Sequence, residues 1–455
     1  MARLHAGAAR VKLEPPLGIA MAGYGRRVGR ASGVHDDLAA QAVVISDGTG
    51  KIAIVSVDLL AIGIRIADQI REAVAAKSDI AADAIMICAT HTHSAPLFNI
   101  FATPSAETKA GDDRDLDWER ALPDKIVRVV LEANRRLEPA SIRVASARFT
   151  LGTNRRLRRA DGSIQNAPNY AGVADSEALA LGVYSDDAAP IAILFNYPCH
   201  GVVLCEDNLL YSRDWPGFAA DEIESTAEGE GAIAMFLQGA TGNIDPRSRG
   251  SFEVAREHGT IVGRAVLSAL ALAQSIEDAR VAFRRAPITL KLRQLDDLIA
   301  DARRCAAQTQ ASLNNHRGGE GIQLKRLRDQ HELSLTQLAA IEMLEEQNRR
   351  DRRVDVARRE IATALTLITI GGVAIAGIPG ELFVELGLAL KANPLFDRTF
   401  VAGYCNDLAG YIPTREAYAQ GGYEVDTSRV AAGSGEAIVA KVLDSLAALR
   451  SESRQ

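Results

Sequence analysis

Two histidines flank a threonine in ICATHTHSAP, residues 87–96, within a chain of 455 residues that has only eight histidines. An apolar run precedes them, so His91 and His93 stand where a buried strand emerges. His200 is placed the same way after IAILFNYPC, and Glu381 after VAIAGIPG. Asp58 ends IAIVSV, and Tyr411 follows TFVAGYCNDLAG, a strand and then a glycine-containing loop. Open α/β sheets bind ligands in the crevice beyond their strand ends, which makes these residues candidates for one site. Two imidazoles and a carboxylate suit zinc, with positions left for water and substrate. Zinc held this way acidifies water and polarises a carbonyl. On an extended His-Thr-His the two side chains point to opposite faces. One of them is then the ligand, and the other reaches the site only if the chain bends. Such pairs also occur as satisfied core or turn histidines, so spacing alone leaves the metal reading open.

The elements that must position these residues alternate along the chain. KIAIVSVDLL, AIMICAT, ALALGVYS, IAILFNYP and AIAMFLQG read as strands. IRIADQIREAVAAK, DKIVRVVLEANRRL, FAADEIESTA and FEVAREHGTIVGRAVLSALALA read as helices by their apolar spacing. This alternation predicts an α/β fold, a large domain with a buried mixed sheet or pair of sheets. The stretch 361–380 carries no charge over twenty residues, long enough to span a bilayer. Its β-branched residues and central Gly371-Gly372 predict two buried strands joined by a tight turn instead, so no stable membrane insertion is expected. Residues 292–359 differ, being rich in Leu, Ala, Glu, Gln and Arg around Asn314, Asn315, Gly318 and Gly319. They read as a helical hairpin inserted between two parts of one catalytic domain, 1–291 and 360–455. As a solvated arm it would be structural; as a lid or dimerisation element it would make a homo-oligomer possible.

Composition excludes some classes. A formal net charge of −6 and 47% hydrophobic residues give no reason to expect nucleic-acid binding. The five cysteines are scattered without a CxxC pair, which favours reduced thiols. The N-terminus, MARLHAGAAR, lacks the apolar core of a signal peptide, so a cytoplasmic location is expected.

THTHSAP, NYPCHGVVL, QGATGNIDP, IPGE and GYIPTREAYAQGGYE, in this order, resemble the catalytic domain of the neutral (non-lysosomal) ceramidase family. MAGYGRR, GVHDDLAAQAVVI and VSVDLL are similar to that family's opening, and the resemblance runs from about Ala6 to Tyr423, interrupted by the helical arm. It implies helices around two packed sheets and one zinc ion held by His91, His200, Glu381 and Tyr411. It also implies that His93 faces substrate, that Arg155 in GTNRR lies near the scissile group, and that Tyr423 is a second active-site tyrosine. Two departures stand out. HTHSAPLF puts Leu97 and Phe98 where the family has a glycine turn, and Asp245 in GNIDPR replaces a serine sometimes proposed as nucleophile. The sequence ends soon after the tyrosine motifs, so the family's C-terminal immunoglobulin-like domain is expected to be missing.

The expected activity is therefore zinc-dependent hydrolysis of an amide, an N-acyl linkage in a smaller soluble compound than ceramide. Glu381 or Asp245 would deprotonate the water; Arg155, His93 and Tyr423 would stabilise the oxyanion. The same residues would serve an esterase or lactonase acting on a small ester, and a non-catalytic zinc-binding protein is the alternative from another class. Other residues read as structural or stay undecided: Cys199 as core, Asp58 as a helix cap or part of the site, and the 155–159 arginines as a solvated loop or an anion contact. His35 has no obvious partner, and His5, His258, His316 and His331 read as surface residues.

Overall fold

The apolar runs pair as strands because their β-branched residues fit a pleated surface covered on both faces. A computed structural model describes residues 3–98, 116–226, 229–277, 279–317 and 321–452. Lys51–Val57 lies parallel to Ile85–Ala89 and antiparallel to Ala39–Ser46, which pairs with His5–Lys12. Glu138–Arg148, Glu177–Ser185 and Pro190–Tyr197 continue antiparallel, and Ile233–Gln238 ends the series parallel to Pro190–Tyr197. These strands form one eight-stranded path. Its two halves join through His5↔Pro139 and Ala6↔Glu138. That short joint lets the halves fold over each other, and Ser56 Oγ in one donates to Phe236 O in the other at 2.7 Å.

A five-stranded sheet closes on both halves. It contains Val281–Lys291, Glu360–Ile370, Val373–Gly377 and Arg398–Ala402, with Val354–Asp355 beside Glu360–Ile370. Ile54, Met86, Leu194, Met235, Ile375 and Phe400 meet in one core fed by all three layers. Helices Asp214–Ser225 and Phe252–Ala271 cover the outer face of the second half. Ile64–Lys77 and Leu116–Arg135 pack on each other, and Leu116–Arg135 lies against the first half. Val384–Lys391 and Ser434–Glu452 cover the five-stranded sheet. The architecture is the expected mixed α/β fold of helices around packed sheets. The uncharged stretch forms Glu360–Ile370 and Val373–Gly377 with its turn at Gly371-Gly372. Among the described residues, no helix is long and apolar enough to cross a membrane.

The helical hairpin is present as Asp296–Asn314 and Ile322–Arg350, packed on each other. It leaves the sheet at Lys291 and returns at Glu360, and these two residues are register partners, so the excursion preserves strand pairing. Gly318 and Gly319, expected at its tip, lie outside the described residues.

Asn406, with φ 58°, stitches the layers together. Its Oδ1 accepts from Ile87 N at 2.9 Å, and Nδ2 donates to Ile85 O at 3.1 Å and Thr366 Oγ1 at 2.8 Å. Asn406→Ala strands these buried groups, and we expect it to lower the unfolding free energy by about 2–4 kcal/mol. Denaturant melts check this, and a loss under about 0.5 kcal/mol would contradict it.

Candidate metal and catalytic site

His91 follows Ile85–Ala89 and takes a left-handed φ of 62°. A non-glycine residue there costs about 1 kcal/mol, so the surroundings must hold it. They do: Thr90 N donates to Val57 O at 2.9 Å, His91 N to Leu59 O at 3.0 Å, and Thr92 Oγ1 to Ser212 O at 2.7 Å. This is the bend that an extended His-Thr-His lacked. It turns both rings to one side, with His93 Nε2 3.2 Å from His91 Nε2.

His200 arrives from Pro190–Tyr197, and one potential ligand atom from each of His91, His93 and His200 lies within 4.8 Å of the others, a group that could hold a metal ion. The tautomers suit that purpose. His91 Nδ1 donates to Leu60 O at 2.7 Å and His200 Nδ1 to Ile244 O at 2.9 Å, which leaves both Nε2 lone pairs facing the site. His200 Nε2 is buried with no hydrogen-bond partner among the described residues, as expected of an atom built to receive a ligand. Burial drives His91 down to about 3 against the pull of Glu381.

Glu381 Oε2 lies 3.8 Å from His91 Nε2 and 3.7 Å from His200 Nε2. Burial raises its carboxyl, but His91, His200 and Arg155 outweigh that and hold it below its ordinary value. Glu381 and Tyr411 are parallel register partners in the short strands Glu381–Leu382 and Tyr411–Ile412. Gly242 permits this approach, since a Cβ there would come within 2.6 Å of Glu381 O. Imidazole nitrogens together with a carboxylate make a donor set that fits zinc. The three-histidine group and the expected His91, His200, Glu381 and Tyr411 set share His91 and His200.

Arg155 forms the adjoining wall. Its Nη2 donates to Tyr411 OH at 3.1 Å and Gly242 O at 2.7 Å, Nη1 to Asp245 Oδ1 at 2.9 Å, and Nε to Glu424 Oε1 at 2.9 Å. Arg156 Nη1 takes the other Glu424 oxygen at 2.8 Å. Asp245 also faces Arg249 Nη1 at 3.5 Å and His200 Nδ1 at 3.9 Å. Burial pushes the Asp245 carboxyl up, but Arg155, His200 and Arg249 more than offset it, so it stays ionised. Tyr423 is 49% exposed, its ring 5.8 Å from that of Tyr411.

All eight expected residues therefore lie in or beside one cluster, while other expectations need correction. Asp58 does not cap the following helix, whose N-cap is Gly63; its Oδ2 accepts from Ala39 N at 2.9 Å. His258 is buried against Ser248 Oγ at 2.8 Å, because it faces inward on its helix, and His5, His316 and His331 are half-buried. Phe98 belongs to the core, and only Leu97 is exposed. Arg155 and Arg156 are buried, and only Arg158 and Arg159 are solvated. Cys199 packs in the core as expected.

Two site residues escaped the sequence reading. Tyr404 stacks on His91 with ring centroids 3.9 Å apart, and its OH reaches Glu381 Oε2 at 3.3 Å and Thr241 Oγ1 at 2.9 Å. Glu424 is the buried carboxylate between two arginines. Its place beside Tyr423 in GGYE was the one signal pointing to it.

A model of the neutral/alkaline non-lysosomal ceramidase N-terminal region matches residues 13–261, more than half of the chain. The chain belongs to that family. A neutral ceramidase of Pseudomonas aeruginosa is 23% identical over 453 residues, which cover 89% of this chain and 66% of that protein. The chain thus spans just under two thirds of that relative. The crystal structure of neutral ceramidase from Pseudomonas aeruginosa superposes with a TM-score of 0.72 at 19% identity, covering 99% of this chain and 75% of that one. A ceramidase complexed with C2 superposes equally, with a TM-score of 0.72 at 18% identity over 99% of this chain and 76% of that one. At these identities the likeness establishes a shared fold.

Proposed function

We propose that this chain hydrolyses the amide bond of an N-acyl compound, with zinc held by His91, His200, Glu381 and Tyr411. The observation that carries this reading is the convergence of two imidazole nitrogens on Glu381, with His200 Nε2 buried and otherwise unpartnered among the described residues. Zinc bound there supplies a Lewis acid that acidifies water and polarises the scissile carbonyl. The side chains do the rest. His93 Nε2, beside His91 Nε2, is the group that gives a proton to the leaving nitrogen, an acid's role in which its buried, cation-lined setting makes the protonated ring release that proton readily. Arg155 and Tyr423 face the carbonyl oxygen as negative charge develops on it.

Asp245 acts through Arg155 and is not the nucleophile. Its oxygens are already engaged by two guanidinium groups, which hold it as a weak base. Asp245→Asn should keep fold and zinc and lower kcat about tenfold, less than the ~10²-fold loss of a general base. A single turnover in ¹⁸O-labelled water should place the label in the released acid. Label in the Asp245 side chain would reveal a covalent ester and overturn direct attack by water.

The substrate we propose is a small soluble N-acyl compound. The wall around His93 supports this, because it is polar and cationic. Tyr24 packs edge-on at 4.9 Å, Arg27 Nη2 donates to His93 O at 2.8 Å, and Arg249 Nη2 donates to Tyr24 OH at 2.9 Å. Gly23 presses so close that a Cβ there would lie 2.4 Å from the ring. Such a wall gives a long alkyl chain little apolar surface to bury. Comparing kcat/KM for short-chain and long-chain N-acyl substrates tests this, and a long-chain preference would refute it.

A further inference from the structure

The helical arm enters the body close to the site. Ile322–Arg350 packs against the short helix Tyr423–Asp426, and the arm's exit forms a buried charged junction. Arg429, 1% exposed, donates from Nε to Asn348 Oδ1 at 2.9 Å and from Nη2 to Asp351 Oδ2 at 2.9 Å. Arg353 donates to both Asp351 oxygens, at 2.8 and 2.6 Å, and pairs with Asp407, which is also buried. The arm's entry grips the same segment. Arg293 Nη1 donates to Val425 O, and to Ser428 O at 3.2 Å, while Leu292 bridges Val430.

Each grip leads to the site within a few bonds. Ser428 Oγ donates to Tyr411 O at 2.9 Å. Glu424, one residue from Tyr423, holds Arg155 and Arg156. Asp407 lies in the loop between Tyr404 and Tyr411. Burying Arg429, Asp351 and Asp407 costs several kcal/mol per ion unless their geometry is well satisfied, and well-packed apolar residues often stabilise as much. In some proteins buried polar networks fix one arrangement among several.

We propose that Asp351 and Arg429 are positioning residues for the site, and that through them the arm sets the placement of Tyr411, Tyr423 and Arg155. This rests on the amide-hydrolase reading only for its kinetic consequence. Asp351→Asn keeps the volume but removes one of the two charges facing Arg353 and Arg429. Arg429→Lys keeps the charge but cannot span Asn348 and Asp351 together. In either zinc-loaded variant, kcat should fall roughly tenfold to a hundredfold at equal zinc content, well below the melting temperature. The readout independent of turnover is the ¹⁹F resonance of 3-fluorotyrosine placed at position 423, which should shift or broaden in both variants.

An unchanged resonance with unchanged kcat in a folded variant, whatever its melting temperature, would overturn the proposal. Should neither variant fold, hydrogen exchange of the unaltered protein decides. Amides of 423–428 should open together with those of 344–350, and independent opening would overturn the proposal. A wild-type protein with no turnover at all would count against the amide-hydrolase reading, while the ¹⁹F and exchange results would still decide the role of the arm.

Discussion

Replacing His200 with alanine is expected to give a folded chain that neither retains zinc nor turns over an N-acyl substrate. His200 is fully buried, and its ring is aimed by the Nδ1 bond to Ile244 O. Its Nε2 has no other use among the described residues, so the substitution removes a donor without leaving a buried polar partner except one carbonyl. Loss of residues that merely orient ligands costs ten- to a hundredfold in metal affinity, so loss of a ligand should exceed a hundredfold. Metal analysis after gel filtration checks this. Full zinc occupancy in His200→Ala would remove His200 from the ligand set.

Arg155→Lys should show the second-largest effect, with zinc retained and kcat reduced by about 10²- to 10³-fold, the size expected for a lost oxyanion donor. Lysine keeps the charge but cannot meet Asp245, Glu424, Gly242 O and Tyr411 OH from one planar fork. The effect should fall on kcat more than on KM, since the contact strengthens as charge develops. Steady-state kinetics at verified zinc content test this, and a rise in KM alone would assign Arg155 to ground-state binding. Asp245→Asn should cost less, because Glu424 still holds the guanidinium in place.

Local pattern made most of the scaffold legible. The spacing of IRIADQIREAVAAK marks a helix over residues 64–77, where it is found, and the tight turn at Gly371-Gly372 follows from two apolar runs around a glycine pair. The strand-end residues were legible for the same reason, since a polar side chain that closes an apolar run stands where a buried strand leaves the sheet. The bend at His91 was not. Nothing in the tripeptide demands φ 62°; bonds to Leu59, Leu60 and Ser212 impose it, and Ser212 is 120 residues away from Thr92.

Tyr404 was hidden for a related reason. It lies 313 positions from His91, and only closure of the five-stranded sheet onto the first half brings their rings together. The buried state of His258 depends on which face of its helix meets its neighbours, and a lone histidine in an amphipathic stretch does not reveal that. Asp58 turns toward Ala39 N because the adjacent strand offers a donor beside it.

If one zinc ion at this site makes the chain an amide hydrolase, metal content and turnover must rise together. Zinc should be stripped with a chelator and titrated back while turnover of a short-chain N-acyl substrate is followed. The expected result is no turnover in the zinc-free protein, a linear rise that stops at one equivalent per chain, and a flat line for His200→Ala. Turnover that persists without zinc, or that is restored equally in His200→Ala, would contradict it.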